Sequence, residues 1–425
     1  MIRRIAVSVM TSALERARNS FHGWRIVGLM LGPRAAGTGT YILGGTLFVL
    51  PLEESLGIQR GVSSFLFASS TVVTGISAPI SGALMDRYGP RRILLVSVLV
   101  SAAGYVLFAT SVNLAMVFIF YAGVISLVVL NVAFNASTTF VNNWFVRSKA
   151  TALSLLQVGS GMGALLILPI LAFAIDAWGW REAALVSAGA ILLLGLPAAL
   201  FARNTPEETG LLPDGAPPVA AGESTISGPE LSTGSALKTG RFWLLAGGAM
   251  AFGGAQAGLQ IHFVPIMVWK GMDAVEGALL LTLMAFASTP MALVSGWLAD
   301  RVGRMVVAAT VSVVVAGGVV LLNLGGPAWT TWLAVVLIAP SSGMYPLVWA
   351  SLGDAVGRRS FSTIRGLVMT FQIGGTFGIP IIIGILFETT GGYTSALWII
   401  VALWGVAALL QVQTSRHARA QSLTS

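Results

Sequence analysis

Gly82-Ala-Leu-Met-Asp86-Arg87-Tyr-Gly89 recurs in nearly the same form 214 residues later, as Gly296-Trp-Leu-Ala-Asp300-Arg301-Val-Gly303. Each copy stands between two long apolar runs. A second pair, Gln157-Val-Gly159 and Gln372-Ile-Gly374, repeats at an offset of 215 residues. Two pairs at nearly one offset indicate that the chain consists of two related halves.

The apolar runs around these motifs are long enough to cross a membrane. Hydrophobic residues make up 56% of the chain and charged residues 9%, whereas roughly a quarter of the residues in a soluble domain are charged. A transmembrane helix needs about 20 apolar residues. Runs of that length lie near 24–51, 62–85, 93–111, 114–141, 150–175, 183–202, 242–269, 275–299, 305–325, 328–352, 364–387 and 394–412. The sequence therefore predicts an all-α integral membrane protein with twelve transmembrane helices.

The distribution of basic residues predicts the orientation. Arg60, Arg181 and Lys270 fall in the loops opposite the termini, Arg34 lies within a span, and the remaining Arg and Lys residues share the terminal side. Because cytoplasmic loops carry an excess of Lys and Arg, both termini are predicted to be cytoplasmic, with the protein in a bacterial inner (plasma) membrane. The predicted parts are an N-terminal tail (1–22), a six-helix bundle (23–203), a polar linker (204–240), a second bundle (241–413) and a C-terminal tail (414–425).

Two parallel six-helix repeats predict a central cavity and alternating access by rocking of one half against the other. The sequence contains no cysteine, no Ser/His/Asp arrangement, no metal-ligand cluster and no P-loop. We therefore predict no enzymatic activity, no cofactor and no metal, and transport driven by a gradient. The net charge of +8 is spread over short loops, so it predicts membrane topology and no nucleic-acid partner.

The first motif resembles the signature of the major facilitator superfamily, Gly-x-x-x-Asp-Arg-x-Gly-x-Arg-Arg between helices two and three. Here the pattern reads Gly82, Asp86, Arg87, Gly89, Arg91 and Arg92, and a weaker copy reads Gly296, Asp300, Arg301 and Gly303, with Met305 in place of the later arginine. The resemblance implies the major facilitator fold, two pseudo-symmetric six-helix bundles. It also implies that both motifs form a cytoplasmic gate, in which glycines make tight turns and the charged groups pair or cap helix ends.

Other stretches resemble one branch, the monocarboxylate transporters and oxalate/formate antiporters. They are Gly23-Trp24, Asn143-Trp144-Phe145, Gly179-Trp180-Arg181, Pro206-Glu-Glu-Thr-Gly210 and His262-Phe-Val-Pro265. The resemblance implies a carboxylate substrate and a basic residue in helix eight, or a lysine in helix one or eleven. This chain departs from the pattern, since 285–295 in helix eight and 366–387 in helix eleven contain no basic residue.

Arg34 is the only cation predicted to lie deep inside a span, roughly 15 Å along helix one. A central arginine costs about 2.5–3.5 kcal/mol, so it is expected to face a wet cavity, an anion or both. Gly32 and Pro33 before it, and Gly37 and Gly39 after it, predict that the helix bends or opens there. The alternative is a structural arginine that bonds to carbonyls or glutamines between helices.

Polar side chains at helical spacing supply the other candidates for substrate contact. Gln256 and Gln260 are one turn apart, as are Asn131 and Asn135, and such pairs share a helix face. The predicted substrate site comprises Arg34, Tyr41, Asn131, Asn135, Gln157, Gln256, Gln260, His262, Tyr345 and Gln372. For the amides, hydrogen bonding between helices is the alternative role, and for His262 the alternatives are an outer gate, proton uptake or a structural hydrogen bond.

These features predict a secondary carrier that moves a small organic anion, foremost a monocarboxylate, which pairs with Arg34. The predicted partners are this anion, protons and the lipid bilayer, and one chain is sufficient. No Asp or Glu occupies the core of a predicted span, so proton symport and anion exchange both stay open. The alternatives are an exporter of an amphipathic or weakly polar compound and, from another class, a membrane ligand sensor that does not transport.

Overall fold

The computed structural model describes residues 22–215 and 230–424, and within these ranges the chain is helical with no β-strand. Residues 1–21 of the predicted N-terminal tail and 216–229 of the predicted linker lie outside the described residues. The long helical segments are α1 (His22–Leu56), α2 (Arg60–Tyr88), α3 (Pro90–Ala109), α4 (Leu114–Trp144), α5 (Lys149–Trp178), α6 (Trp180–Phe201), α7 (Gly240–Trp269), α8 (Ala274–Val302), α9 (Arg304–Leu324), α10 (Trp329–Val356), α11 (Phe361–Thr390) and α12 (Thr394–Thr424).

Eleven of these segments in the described chain are long and apolar enough to cross a membrane. The remaining predicted span, 242–269, is helix α7, which is 30 residues long but less apolar. Its glycines, together with Gln256, Gln260 and His262, lower its hydropathy. Helix α7 is therefore recognised as a span by its length and its place in the bundle.

The two halves repeat the same packing. Helix α3 packs against α6 and α1 against α5 in the first half, as α9 packs against α12 and α7 against α11 in the second. Across the halves, α2 packs against α11 and α8 packs against α5. The repeat in the sequence is therefore also a repeat in space, and the halves meet along α2–α11 and α5–α8.

Glycines at the repeated motifs make the turns and the close approaches. Gly89 and Gly303 have φ angles of 84° and 120° and join α2 to α3 and α8 to α9, a conformation that residues with a Cβ rarely adopt. A Cβ on Gly82 would lie 2.1 Å from the carbonyl oxygen of Ser362. Only glycine therefore lets α2 and α11 approach this closely.

Helix α1 loses its regular α geometry beyond Arg34. It is α-helical over His22–Gly37, π-helical over Thr38–Ile42 and 3₁₀-helical over Gly44–Phe48 before the α-helix resumes at Val49. The sequence predicts an irregularity around Arg34, and the structure places it one turn later. Such changes of helix type within a span are frequent at functional sites.

The predicted linker and C-terminal tail contain helix as well. A short helix, Thr233–Leu237, stands just before α7, and α12 continues to Thr424 through the predicted tail. The division of the chain into tails, bundles and linker otherwise stays a prediction. The terminal face is the side of the bundle where α1 begins and α12 ends.

Candidate substrate-binding cavity

A cavity of about 920 Å³ lies between the two halves. Helices α1, α2, α4 and α5 line it on one side and α7, α10 and α11 on the other. Cavities of 300–1,000 Å³ are the size that encloses small organic ligands. Arg34 and Arg365 are in its described lining, and no acidic side chain is among those lining residues.

Arg34 is buried, with 5% of its surface exposed. Its Nε donates to Ser160 Oγ at 3.1 Å, one terminal nitrogen donates to Ser137 Oγ at 3.4 Å, and the other donates to Gln157 Oε1. The guanidinium also lies 4.4 Å from the centre of the Phe134 ring. Arg34 thus borders the cavity and also binds a glutamine, while its contact with substrate stays a prediction.

Arg365 is another buried cation, with 4% exposure, and it borders the cavity although it was not among the predicted substrate contacts. Helix α11 begins at Phe361, so Arg365 lies one turn inside a helix and its side chain enters the cavity. One terminal nitrogen donates to Asn135 Oδ1, and the guanidinium lies 4.6 Å from the centre of the Trp349 ring. Its Nε is buried without a hydrogen-bond partner.

Asn131 and Asn135 lie behind the cavity wall. Asn135 Nδ2 donates to Asn131 Oδ1 at 2.9 Å, and Asn131 Nδ2 lies 3.2 Å from both Ser81 Oγ and Ser97 Oγ. This chain of hydrogen bonds orients the Asn135 oxygen toward Arg365. The two asparagines therefore position a cavity residue and do not line the cavity themselves.

Seven of the ten predicted substrate contacts line the cavity: Arg34, Tyr41, Gln157, Gln256, Gln260, Tyr345 and Gln372. Gln157 and Gln372, which the repeat relates, contribute to opposite walls. Gln256 Oε1 is buried and has no hydrogen-bond partner among the described residues. Whether these side chains bind substrate stays a prediction.

His262 lies outside the cavity lining. Its Nε2 is 3.0 Å from the carbonyl oxygen of Pro380, which can only accept, so Nε2 carries the proton and donates. Its Nδ1 lies 3.3 Å from the Tyr393 hydroxyl. Both ring nitrogens thus have partners, and the geometry favours the structural role among those weighed for this histidine.

Asp86 of the first motif joins the halves at the terminal face. Its carboxylate accepts hydrogen bonds from Ser362 N at 3.0 Å, Thr363 N at 2.8 Å and Thr363 Oγ1 at 2.6 Å. These amides are the first of α11 and have no acceptor within the helix. The aspartate of one half therefore caps a helix of the other, where a negative charge is favourable.

Asp300 of the second motif makes the matching cap on α5. It accepts from Ala150 N at 3.1 Å and from both Thr151 N and Thr151 Oγ1 at 2.8 Å. Unlike Asp86, it also receives two hydrogen bonds from Arg304, at 3.0 and 3.1 Å. Sequence reasoning missed Arg304, although it directly follows the motif glycine Gly303.

Arg304 belongs to a group of ion pairs on the α5–α8 side of the terminal face. Arg304 also pairs with Asp354, and Lys149 Nζ of the first half lies 3.3 Å from the same carboxylate. Lys149 Nζ donates to Asn142 Oδ1 at 2.9 Å. A buried lysine of one half is therefore tied to a carboxylate of the other.

The arginines of the motifs make contacts within their own halves. Arg91 donates to the carbonyl oxygens of Ala199 and Leu200 at 3.1 and 2.6 Å. Arg87 lies over Tyr88 and Arg301 over Trp297, at 5.2 and 3.7 Å from the ring centres, while the Arg92 side chain is exposed. The aspartates, and not these arginines, therefore make the contacts described here between the halves.

Residues 29–372 match the family model described as Major Facilitator Superfamily. This chain belongs to the Major Facilitator Superfamily. The superfamily consists of transporters, so the protein is a multi-pass membrane transporter of a small molecule and not an enzyme. The predicted all-α major facilitator fold is confirmed.

Relatives within the Major Facilitator Superfamily agree with the branch that the motifs indicated. Human monocarboxylate transporter 11 is 28% identical over 360 residues, which cover 81% of this chain and 73% of the relative. The oxalate:formate antiporter of Oxalobacter formigenes is 24% identical over 351 residues, 79% of each chain. The crystal structure of the E. coli fucose:proton symporter superposes with a TM-score of 0.72 at 14% identity, over 91% of this chain and 98% of that chain.

Proposed function

We propose that the protein is a secondary carrier of a small organic anion, whose carboxylate binds between Arg34 of the first half and Arg365 of the second. The observation that carries the proposal is that both arginines are buried at one cavity, with no acidic side chain among the described lining residues. Monocarboxylates are the leading class, and the names of the relatives support them.

Electrostatics favours an anion at this position. Two like charges at a low-dielectric site repel each other, and each loses hydration on burial. Hydrogen bonds to serine, glutamine and asparagine oxygens offset part of this cost, but they bring no negative charge. An anion offsets both costs, and the Nε of Arg365 is a donor still without a partner.

The gate supports alternating access. Asp86 and Asp300 each cap a helix of the other half at the terminal face, and the cavity lining follows α1 from Arg34 to Val49 toward the opposite face. The excess of basic residues on the terminal face supports a cytoplasmic location for that face. The described state is then closed to the cytoplasm, and transport requires both aspartates to leave their helix ends.

The first experiment is solute uptake with internal pH recording in proteoliposomes. Lactate, pyruvate, acetate, formate, oxalate and a neutral analogue are compared for the wild type and for Arg34→Gln and Arg365→Gln. We expect the wild type to transport at least one anion and each variant to lose at least about tenfold of that rate, since a charged hydrogen bond contributes about 1.5–3 kcal/mol. Acidification of the vesicle interior during uptake indicates proton symport, whereas dependence on internal anion indicates exchange.

Arg359→Gln is the matched control, because the Arg359 side chain is exposed and lies only six residues before Arg365. Arg365→Lys retains the charge and tests whether a folded variant can keep activity. The proposal is wrong if wild-type protein that elutes as a single folded species transports neither an anion of the panel nor 3-phenylpropionate. It is also wrong if both glutamine variants transport as fast as Arg359→Gln.

A further inference from the structure

The wall of the cavity beyond Arg34 is aromatic. Tyr41 and Tyr121 stack with ring centres 5.6 Å apart, and Phe67 meets Tyr121 edge-on at 5.3 Å. All three side chains line the cavity. Gly45 provides the room for this cluster, since a Cβ there would lie 2.4 Å from the Tyr121 hydroxyl.

The hydroxyl of Tyr41 is already occupied. It donates to Ser126 Oγ at 2.9 Å and lies 3.3 Å from Thr74 Oγ1. A tyrosine whose polar end is bonded within the protein offers mainly its ring to a ligand. This part of the wall is therefore suited to an apolar, planar group.

The charged and aromatic parts of the cavity are separated along α1. Tyr41 follows Arg34 by seven residues, or roughly 10 Å along a helix. Ile42, Thr46 and Val49 continue the lining beyond Tyr41, whereas Arg365 and Trp349 belong to the end near the terminal face. The cavity thus has a cationic end and an aromatic end.

The opposite wall adds a further ring and free amide groups. Tyr345 lines the cavity and is held by Phe252, whose ring centre is 5.1 Å away. Gln256 and Gln260 are neighbours on the same side. The wall formed by the second half therefore also offers a ring and amides to a ligand.

We infer that the substrate is an aromatic monocarboxylate, in which a short chain separates the ring from the carboxylate. The inference rests on the proposed function, because the carboxylate is assigned to Arg34 and Arg365, and it adds the aromatic cluster of Tyr41, Phe67 and Tyr121 as the site for the ring. One- to three-carbon acids would fill only the cationic end of a cavity of about 920 Å³. The same cavity suits the amphipathic substrate that was weighed as an alternative from the sequence.

The test compares propionate, 3-phenylpropionate and the neutral 3-phenylpropanol by calorimetry on the purified full-length protein. We expect 3-phenylpropionate to bind at least about tenfold more tightly than propionate, because burial of an aromatic ring contributes about 1.5–3 kcal/mol. The alcohol has the ring without the charge and is expected to bind more weakly than the acid.

Two variants of helix α2 test where the aromatic ring of the substrate binds. Phe67→Ala is expected to reduce the preference for 3-phenylpropionate over propionate below about threefold. Phe65→Ala is the control, since Phe65 is two residues away, 65% exposed and outside the cavity lining. Phe67→Leu retains an apolar side chain and shows whether a loss in Phe67→Ala comes from misfolding.

The outcomes separate this inference from the proposed function. Equal wild-type affinity for the two acids overturns the aromatic substrate and leaves the anion carrier intact. Binding of neither acid by folded protein, with no transport of any anion, overturns both. A preference for 3-phenylpropionate that survives Phe67→Ala overturns the placement of the ring, whereas its loss in that variant alone supports it.

Discussion

The two helix caps of the gate contain the same hydrogen bonds but different charges. Asp86 and Asp300 each accept from two consecutive backbone amides and one threonine hydroxyl of the other half. Asp300 also pairs with Arg304, and Arg304 and Lys149 share Asp354. Asp86 forms no ion pair within the described part of the chain.

The helix caps are common to both copies of the motif, whereas the ion pairs occur beside only one of them. Both caps form because α2 and its repeat equivalent, α8, each end beside the first turn of a helix in the other half. The ion pairs appear only where the chain supplies Arg304, Lys149 and Asp354. We therefore expect the α5–α8 side to close the terminal face more strongly than the α2–α11 side.

The largest effect is expected from removing the two carboxylates separately. Asp86→Ala loses a helix cap, which contributes about 0.5–2 kcal/mol, and should shift the population away from the closed terminal face by about tenfold. Asp300→Ala also removes a charged partner of Arg304, which contributes about 1.5–3 kcal/mol, and should shift it by about 100-fold. The readout is thiol labelling of Thr46→Cys, an exposed cavity residue, in a chain without native cysteine.

Labelling of Thr46→Cys should decrease in both aspartate variants, because opening of the terminal face closes the opposite mouth. Thr46→Cys alone provides the reference rate. Equal decreases in the two variants would show that the ion pairs add nothing to the cap. An unchanged rate in both would remove the aspartates from the gate.

An intermediate effect is expected from the motif glycines. Gly82→Ala places a Cβ 2.1 Å from a backbone carbonyl oxygen of α11, which can move only with its helix. In Gly296→Ala the nearest atom, at 2.2 Å, is the side-chain oxygen of Ser154. Because overpacking costs about 1–3 kcal/mol, Gly82→Ala should shift the labelling equilibrium by about tenfold and Gly296→Ala by less.

Ser154→Ala sharpens the comparison of the glycines. It removes the nearest atom from Gly296→Ala, so the double variant should recover part of the wild-type labelling. The same serine change should not help Gly82→Ala, whose contact is with Ser362. Recovery in both backgrounds, or in neither, would contradict the assignment of the two contacts.

The smallest effect is expected from the exposed ion pair between Arg358 and Glu207, 2.9 Å apart with 41% of the Glu207 side chain exposed. Such pairs contribute about 0.2–1 kcal/mol, so Arg358→Gln should lower the melting temperature slightly at neutral pH. Burial raises the pKa of Glu207, but a backbone hydrogen bond together with the hydrogen bond and charge of Arg358 outweighs it and lowers the pKa below 4.5.

The sign of the pH dependence follows from that lowered pKa. The contribution of the pair is present above the ordinary pKa of the glutamate, 4.5, and is lost as the pH falls through the lowered value. The melting temperatures of the wild type and Arg358→Gln should therefore converge in acid. A difference that grows in acid would show that another group is responsible.

The fold could be predicted because the bilayer imposes it on the sequence. Apolar length, basic loops and the repeated motif each reflect a requirement of a membrane protein, and together they indicate the same spans. The exception is α7, which is less apolar than the other spans. Arg34 was found by the same logic, since a cation in the middle of an apolar run is costly and therefore stands out in the sequence. Helix type along α1 was not predictable, because it depends on packing against α4 and α5.

Arg365 shows where the sequence misleads. It was counted with the basic residues of the terminal side, yet α11 is a 30-residue helix that starts at Phe361, so Arg365 lies one turn inside it. Hydropathy locates the apolar part of a helix, and a polar first turn that is buried between two halves escapes it.

The positions of Asp86 and Arg365 have a mechanical consequence. Asp86 holds the amides of Ser362 and Thr363, and Arg365 follows Thr363 by two residues on the same turn of α11. The first turns of α11 thus contain both the amides that Asp86 caps and the side chain that is proposed to bind the substrate. Under the proposed function, reciprocity of coupled equilibria requires that release of Asp86 from these amides and substrate binding at Arg365 affect each other.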